Sequence, residues 1–364
     1  MNGELNAISP LAAFVGSFID ASLPAWVLIL MAVVLHWFFL LLPPVIVMGF
    51  LDRKLGADIQ MRIGPNRVSS YGLAQLIADS IKVFFKEDTG PNAQEGWLFR
   101  WGVVGAIVCV FSAIGTIPMA ESWALSSLDT SVVFVLAALV FSYLCMFWAA
   151  YSAESTWSVL SSFRMLALTS AYIVPIALAM VPPILVAGSS GFEHIVRAQG
   201  GLPWKWIVFH NPGTVFSCAS LYLALLVWLG RAPFDHYKAE GEIEGGITAE
   251  YSGLRRGLFG LLEYISLFLA CALVVTTYIG GWQTPFNLES FGRAANLVQW
   301  LFFTVKIFVF ALLSIWIRWS LPRLRIDQIV NLSWRVLVPM GLFGAVVSAV
   351  WLVAFGGKGI GDFL

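Results

Sequence analysis

A chain of 364 residues that is 59% hydrophobic and only 12% charged, with a mean hydropathy of +0.83, is not a soluble globular protein, in which about 25% of residues carry charge. Its formal net charge is zero and no basic stretch alternates with aromatics, which excludes nucleic acid as a partner. The composition is that of a polytopic protein living in a lipid bilayer.

The first 22 residues lack a basic segment, so no secretory leader is expected to be cleaved and the first apolar stretch stays as a helix. Crossing the hydrocarbon core takes about 20 apolar residues. Eight stretches meet that length, near 25–50, 98–119, 131–153, 165–187, 211–230, 254–279, 297–319 and 335–355. The predicted fold class is therefore all-α: one membrane domain over residues 1–364 with eight transmembrane helices, no repeat of fixed period and no dividing linker. The odd-numbered connections and their helix ends hold 16 of the 21 lysines and arginines, the other side only Arg197, Lys205, Arg293 and Lys358, and Lys306 lies alone inside a span. Positive charge marks the cytoplasmic side. Odd connections in the cytoplasm and both termini outside is the predicted orientation.

After the first span comes "MRIGPNRVSSYGLAQLIADSIKVFFKED", Met61 to Asp88. Gly64, Pro65 and Asn66 are turn residues, flanked by Arg62 and Arg67. From Tyr71 onward, Leu73, Leu76, Ile77, Ile81, Phe84 and Phe85 recur at helical spacing, opposite Gln75, Asp79, Lys82 and Lys86. An amphipathic helix near 70–87 follows, too short to cross and suited to the interface. It reads either as a surface helix with lysines toward lipid phosphates or as the roof of a cavity at the bundle mouth.

The connection after the fifth span, 231–253, carries Asp235, Glu240, Glu242, Glu244 and Glu250 among Gly241, Gly245 and Gly246. A charge run is commonly just solvated. Here the glycines break regular helix and the flanking residues are mixed, as in a loop lining a wet cavity, where crowded carboxylates raise one another's pKa values. Glu263 in the sixth span and Lys306 in the seventh are functional candidates by their membrane depth; a structural Glu–Lys pair is the plainer alternative. Cys109, Cys145, Cys218 and Cys271 and the four histidines are scattered, so no metal site is expected. No glycine-rich nucleotide loop or iron–sulfur cysteine set is present.

Four blocks, "LDRKLGADIQMRIGPNRVSSYGLAQLIADSIKVFFKED", "SSFRMLALTSAY", "RAPFDHYKAEGEIEGGITAEYSG" followed by "LLEY", and "IWIRWSLPRLRIDQ", closely resemble the quinone-site membrane subunit of respiratory complex I, the H subunit of proton-pumping NADH:quinone oxidoreductase. The resemblance runs from about Leu51 to Leu342. It implies a subunit at the junction of the membrane and peripheral arms that admits quinone as substrate and passes the electrostatic effect of its reduction to proton-translocating neighbours. The quinone chamber would then involve Arg53, Arg62, Phe234, Asp235 and Glu240; proton coupling Glu240, Glu242, Glu250, Glu263 and Lys306; and the entrance loop and helix Gly64, Pro65, Asn66, Asp79 and Lys82. Flavin and iron–sulfur clusters would sit in peripheral-arm partners, with small and antiporter-like membrane subunits alongside, in a prokaryotic cytoplasmic or mitochondrial inner membrane.

The chain also departs from that pattern. The usual "ERK" is "DRK" with Asp52, "PFDLPEAE" is "PFDHYKAE" with Tyr237 and Lys238, and Ile173 and Val140 occupy positions where many members have carboxylates, while Glu154 and Glu244 are acids at positions that usually have none. A related membrane anchor of an energy-converting hydrogenase or another complex I-like oxidoreductase is the nearest alternative. An independent transporter using Glu263 and Lys306 is the alternative of another class, and internal symmetry, its expected signature, is absent.

Overall fold

The computed structural model describes residues 9–16, 24–91, 96–238, 240–286, 292, 294–356 and 359, so Arg293 and Lys358 lie outside the described residues. Among these residues eight helices are long and apolar enough to cross a membrane: Ala25–Ile59, Gly96–Gly115, Ser131–Tyr151, Thr156–Ala187, Pro212–Leu229, Gly253–Tyr278, Ala295–Ser320 and Ile326–Phe355. The described residues contain no strand. The odd-numbered connections gather at one end of the bundle: Asp52 at the end of the first span reaches both Arg231 after the fifth and Arg318 at the end of the seventh, and Ser158, just after the third connection, bonds Gly246 of the fifth.

Three spans begin or end beyond the limits set by hydropathy. The first runs on to Ile59, and in its added turns Asp52 is buried against protein partners. The fourth begins at Thr156, not near 165. Ser155 caps it by accepting from the Ser158 N–H, and the buried Ser158, Ser161 and Ser162 face protein, where Ser158 and Ser161 donate to the backbone oxygens of Gly246 and Tyr237. The eighth begins at Ile326. It and the first span each contain a wide π turn, Ser333–Leu337 and His36–Leu41, placed just ahead of Pro339 and of Pro43 and Pro44. A proline ring clashes with the carbonyl four residues back, and the wider turn moves that carbonyl aside.

The amphipathic helix forms, over Gln75–Phe84, after a single 3-10 turn at Ser70–Gly72. It is shorter than 70–87 because Tyr71 adopts a positive φ of 61° and breaks the pattern. Two glycines seat it: a Cβ on Gly49 would lie 3.0 Å from Leu76, and one on Gly257 would lie 2.6 Å from Val83. Ile77, Ile81 and Phe84 stay exposed on the chain, ready for lipid or a neighbouring subunit.

Gly257→Leu should therefore unseat this helix at a cost of about 1–3 kcal/mol, the usual range for overpacking. Hydrogen exchange in detergent should show faster exchange confined to residues 75–84; unchanged protection there would refute the seating.

Candidate functional site

Asp52 is 3% exposed, although it belongs to the most polar part of the first span. Its Oδ2 accepts from Arg318 at 2.5 Å and from the Tyr264 hydroxyl at 3.3 Å, its Oδ1 accepts from the Trp319 indole at 3.2 Å, and Arg231 stands 3.7 Å away. The Arg231 guanidinium is buried, lies 4.8 Å from the Tyr264 ring centre and makes no hydrogen bond. Burial pushes its pKa down, with Asp52 the chief opposing charge. Four elements distant in sequence thus meet on one carboxylate.

Beside this cluster lies a cavity of about 840 Å³. Its walls are the end of the first span (Asp52, Arg53), the following loop (Arg62 to Arg67), Gln75, the first half of the sixth span (Glu263, Tyr264) and the end of the seventh (Arg318, Trp319). Four arginines face two carboxylates across it. Arg53 is ion-paired with Asp79 of the amphipathic helix, and Gln75 donates to the same carboxylate at 2.8 Å. Burial opposes ionisation of Asp79, but the bonds from Arg53 and Gln75 outweigh it and hold the carboxyl below the usual range.

The connection 231–252 packs behind the cavity. The buried Phe234 and the half-buried Asp235 do not line it. Burial raises the Asp235 pKa against the pull of Lys238 and Arg323, and Asp235 Oδ1 has no hydrogen-bond partner. Gly246, at φ 51°, passes so close to the Tyr237 carbonyl that a Cβ would collide with it, so only glycine fits. Glu242 turns outward to Arg164 at 3.2 Å and Arg323 at 3.8 Å. Glu250 is half-buried and lies outside the cavity lining. Glu240 opens the short helix Glu240–Ile243, but its side chain lies outside the described residues.

The structure thus brings Arg53, Arg62, Gly64, Pro65, Asn66 and Glu263 together at one cavity, with Asp79 bonded to its rim and Lys82 exposed on the amphipathic helix. Lys306 is elsewhere. Its Nζ donates to the carbonyls of Gly281 at 2.9 Å and Gln283 at 3.0 Å, beyond the far end of the sixth span. Gly281 lies beyond the helix end at Tyr278, which is 15 residues past Glu263, about 23 Å of helix rise, so the two do not pair; Glu263 is instead ion-paired with Lys238. Among the described residues no group of three or more histidines, cysteines or acids is placed to hold a metal. Sequence reasoning passed over Asp52, Arg231, Tyr264, Arg318 and Trp319 as site residues. The signal was present, since Tyr264, Arg318 and Trp319 lie in the blocks "LLEY" and "IWIRWS" and Asp52 is the variant residue of "DRK".

An all-α bundle with this arginine-walled cavity at one end defines a polytopic membrane protein with a site at one end of its bundle. The chain belongs to the H-subunit family of complex I-like NADH:quinone oxidoreductases and related membrane-bound reductases: the NADH dehydrogenase family model matches residues 29–349. It is 32% identical over 316 residues to the H subunit of the NADH-quinone oxidoreductase of Anaeromyxobacter dehalogenans, covering 83% of this chain and 76% of that one. It is 34% identical over 315 residues to the H subunit of the F(420)H(2) dehydrogenase of Methanosarcina barkeri, covering 84% and 88%. Among solved structures, a chain of the membrane-bound sulfane sulfur reductase, an archaeal respiratory membrane complex, has the same fold, with a TM-score of 0.76 at 23% identity over 88% of this chain and 99% of that one.

Two outcomes follow from the charge cluster. Asp52→Ala leaves the buried Arg231 and the partly exposed Arg318 uncompensated and should destabilise the protein by about 3–5 kcal/mol, read as a lowered thermal midpoint in mild detergent. Because the Asp79 pKa is depressed, its contribution is full above the ordinary value of 3.8 and is lost as pH falls below it; acid should therefore release the amphipathic helix, seen as lost exchange protection over 75–84, and Asp79→Asn should abolish that pH dependence.

Proposed function

We propose that this chain is the membrane subunit of a complex I-like redox complex, in which the arginine-walled cavity receives the head of a lipophilic electron acceptor of the quinone class while soluble partner subunits deliver the electrons. The observation that carries this is the cavity of about 840 Å³ bounded by Arg53, Arg62, Arg67 and Arg318. Its size is within the range of small-molecule sites, it sits beside an amphipathic helix with an exposed apolar face, and its cations suit an acceptor that gains negative charge on reduction.

The loop over the cavity exposes Met61, Ile63 and Tyr71 almost fully, a surface suited to a soluble partner that completes the chamber. Positive-inside charge supports placing this end in the cytoplasm. With NADH as donor, the complex would be a proton-translocating NADH:quinone oxidoreductase; the four motif blocks support that reading. The likeness to the H subunit of F(420)H(2) dehydrogenase and the fold shared with a sulfane sulfur reductase support a second reading, the same membrane role in a complex with another donor or acceptor. In both readings the electron-carrying groups would lie in the partner subunits.

Isolation of the tagged chain in mild detergent should recover flavin and iron–sulfur subunits, and the complex should reduce a short-chain quinone. Assay with NADH and with a reduced deazaflavin would separate the two readings. Arg62→Ala should raise KM for the quinone about tenfold, the equivalent of one hydrogen bond to a charged group, with little change in kcat. Recovery of the chain alone, without redox partners, would refute the proposal.

A further inference from the structure

Behind the Glu263 wall of the large cavity lies a second, inner chamber of about 20 Å³, enough for one water, which needs roughly 10–15 Å³. Glu263 borders both spaces. Lys238 borders the inner one with Ser142, Tyr143 and Ser266, and its ammonium is ion-paired with Glu263. The two side chains together span the partition.

We propose that Lys238 and Glu263 form a proton relay across this partition, carrying protons from the inner chamber to the arginine-walled cavity. The inference rests on the redox reading above and assigns Lys238 a role of its own. In the resting pair the ammonium faces the carboxylate. When the acceptor in the large cavity takes up electrons and gains negative charge, the Lys238 proton passes to Glu263, leaving a neutral amine and a carboxylic acid. Glu263 releases that proton to the reduced acceptor and returns to carboxylate. The amine then takes a proton from hydronium that reaches the inner chamber from bulk solvent, leaving a neutral water there and restoring the pair. Each cycle moves one proton and no electrons through these residues.

The surroundings make the transfer feasible. Burial draws the Lys238 pKa from 10.5 to about 7; Asp235 opposes that shift, and Arg231, Arg318 and Arg256 add to it. The other groups facing the ammonium are Glu263, the Tyr237 ring at 5.6 Å and Tyr143 across the inner chamber. The Tyr143 hydroxyl donates to the Trp228 carbonyl, which leaves its oxygen as an acceptor toward the chamber. An arginine at position 238 would keep the ion pair but could not give up its proton at any working pH.

The test uses the intact complex in proteoliposomes, reading acceptor reduction and proton movement together across pH. Supply of the proton requires the ammonium form, so wild-type proton movement should be full at acid pH and fall as pH rises through about 7. Lys238→Arg should lower proton movement on the order of 100-fold, and a pair serving structure alone would instead be rescued by this conservative change. If Lys238→Arg does not assemble, infrared difference spectra of the wild type decide: a protonated-carboxyl band that Glu263→Gln removes should rise on acceptor reduction, and its absence overturns the relay. Proton movement in Lys238→Arg equal to wild type at every pH also overturns it while leaving the redox assignment standing. A wild-type complex that reduces quinone without moving protons overturns the relay alone, whereas a complex that reduces no quinone overturns the redox reading.

Discussion

The end of the bundle that carries the cavity depends on one buried negative charge. Asp52 is nearly inaccessible, and a lone carboxylate at such a site would simply take up a proton. It is matched instead by Arg318 in contact and Arg231 at 3.7 Å, with Tyr264 and Trp319 as further donors. These four partners come from three segments: the connection after the fifth span, the sixth span and the end of the seventh. The attraction therefore acts as a tie between helix ends that are remote in sequence. The cavity is the space left beside that tie.

Most of this architecture was legible because membrane spans announce themselves by hydropathy, and all eight were placed. The errors were at the ends, where buried polar residues continue a helix past the apolar run, as with Asp52 on the first span and Ser158, Ser161 and Ser162 on the fourth. A sequence window counts such residues as exposed; a bundle interior pairs them. The turn at Gly64 to Asn66 and the amphipathic helix were readable from turn chemistry and helical spacing. Its length was not, since the positive φ of Tyr71 has no signature in a residue that ordinarily avoids that region.

The candidate site was legible in part. Reasoning that favours acids in membrane segments picked Glu263 and the 231–253 carboxylates, but arginines outnumber acids in the cavity wall, and several of those acids serve elsewhere. Glu242 is matched outside the chamber by Arg164 and Arg323. The acids at unusual positions, Glu154 and Glu244, prove to be exposed turn residues with φ of 53° and 50°, so they replace nothing inside the bundle. The Tyr237–Lys238 departure is the opposite case: a change that looked like a loss of acidity places a cation against Glu263. Which partner a charge meets is a long-range fact that no local pattern encodes.

Lys306 has a bearing on how the protein is made. A lysine halfway along an isolated span opposes entry into lipid by about 2.5–3.5 kcal/mol. Its acceptors, the carbonyls of Gly281 and Gln283, belong to the segment translated just before the seventh span, and the Trp206 ring 5.0 Å away is earlier still. During synthesis the ribosome thus delivers the receptor for this ammonium ahead of the helix that bears it. The sixth and seventh spans are suited to leave the translocon as a pair, the lysine crossing into the bilayer already bonded to its neighbour.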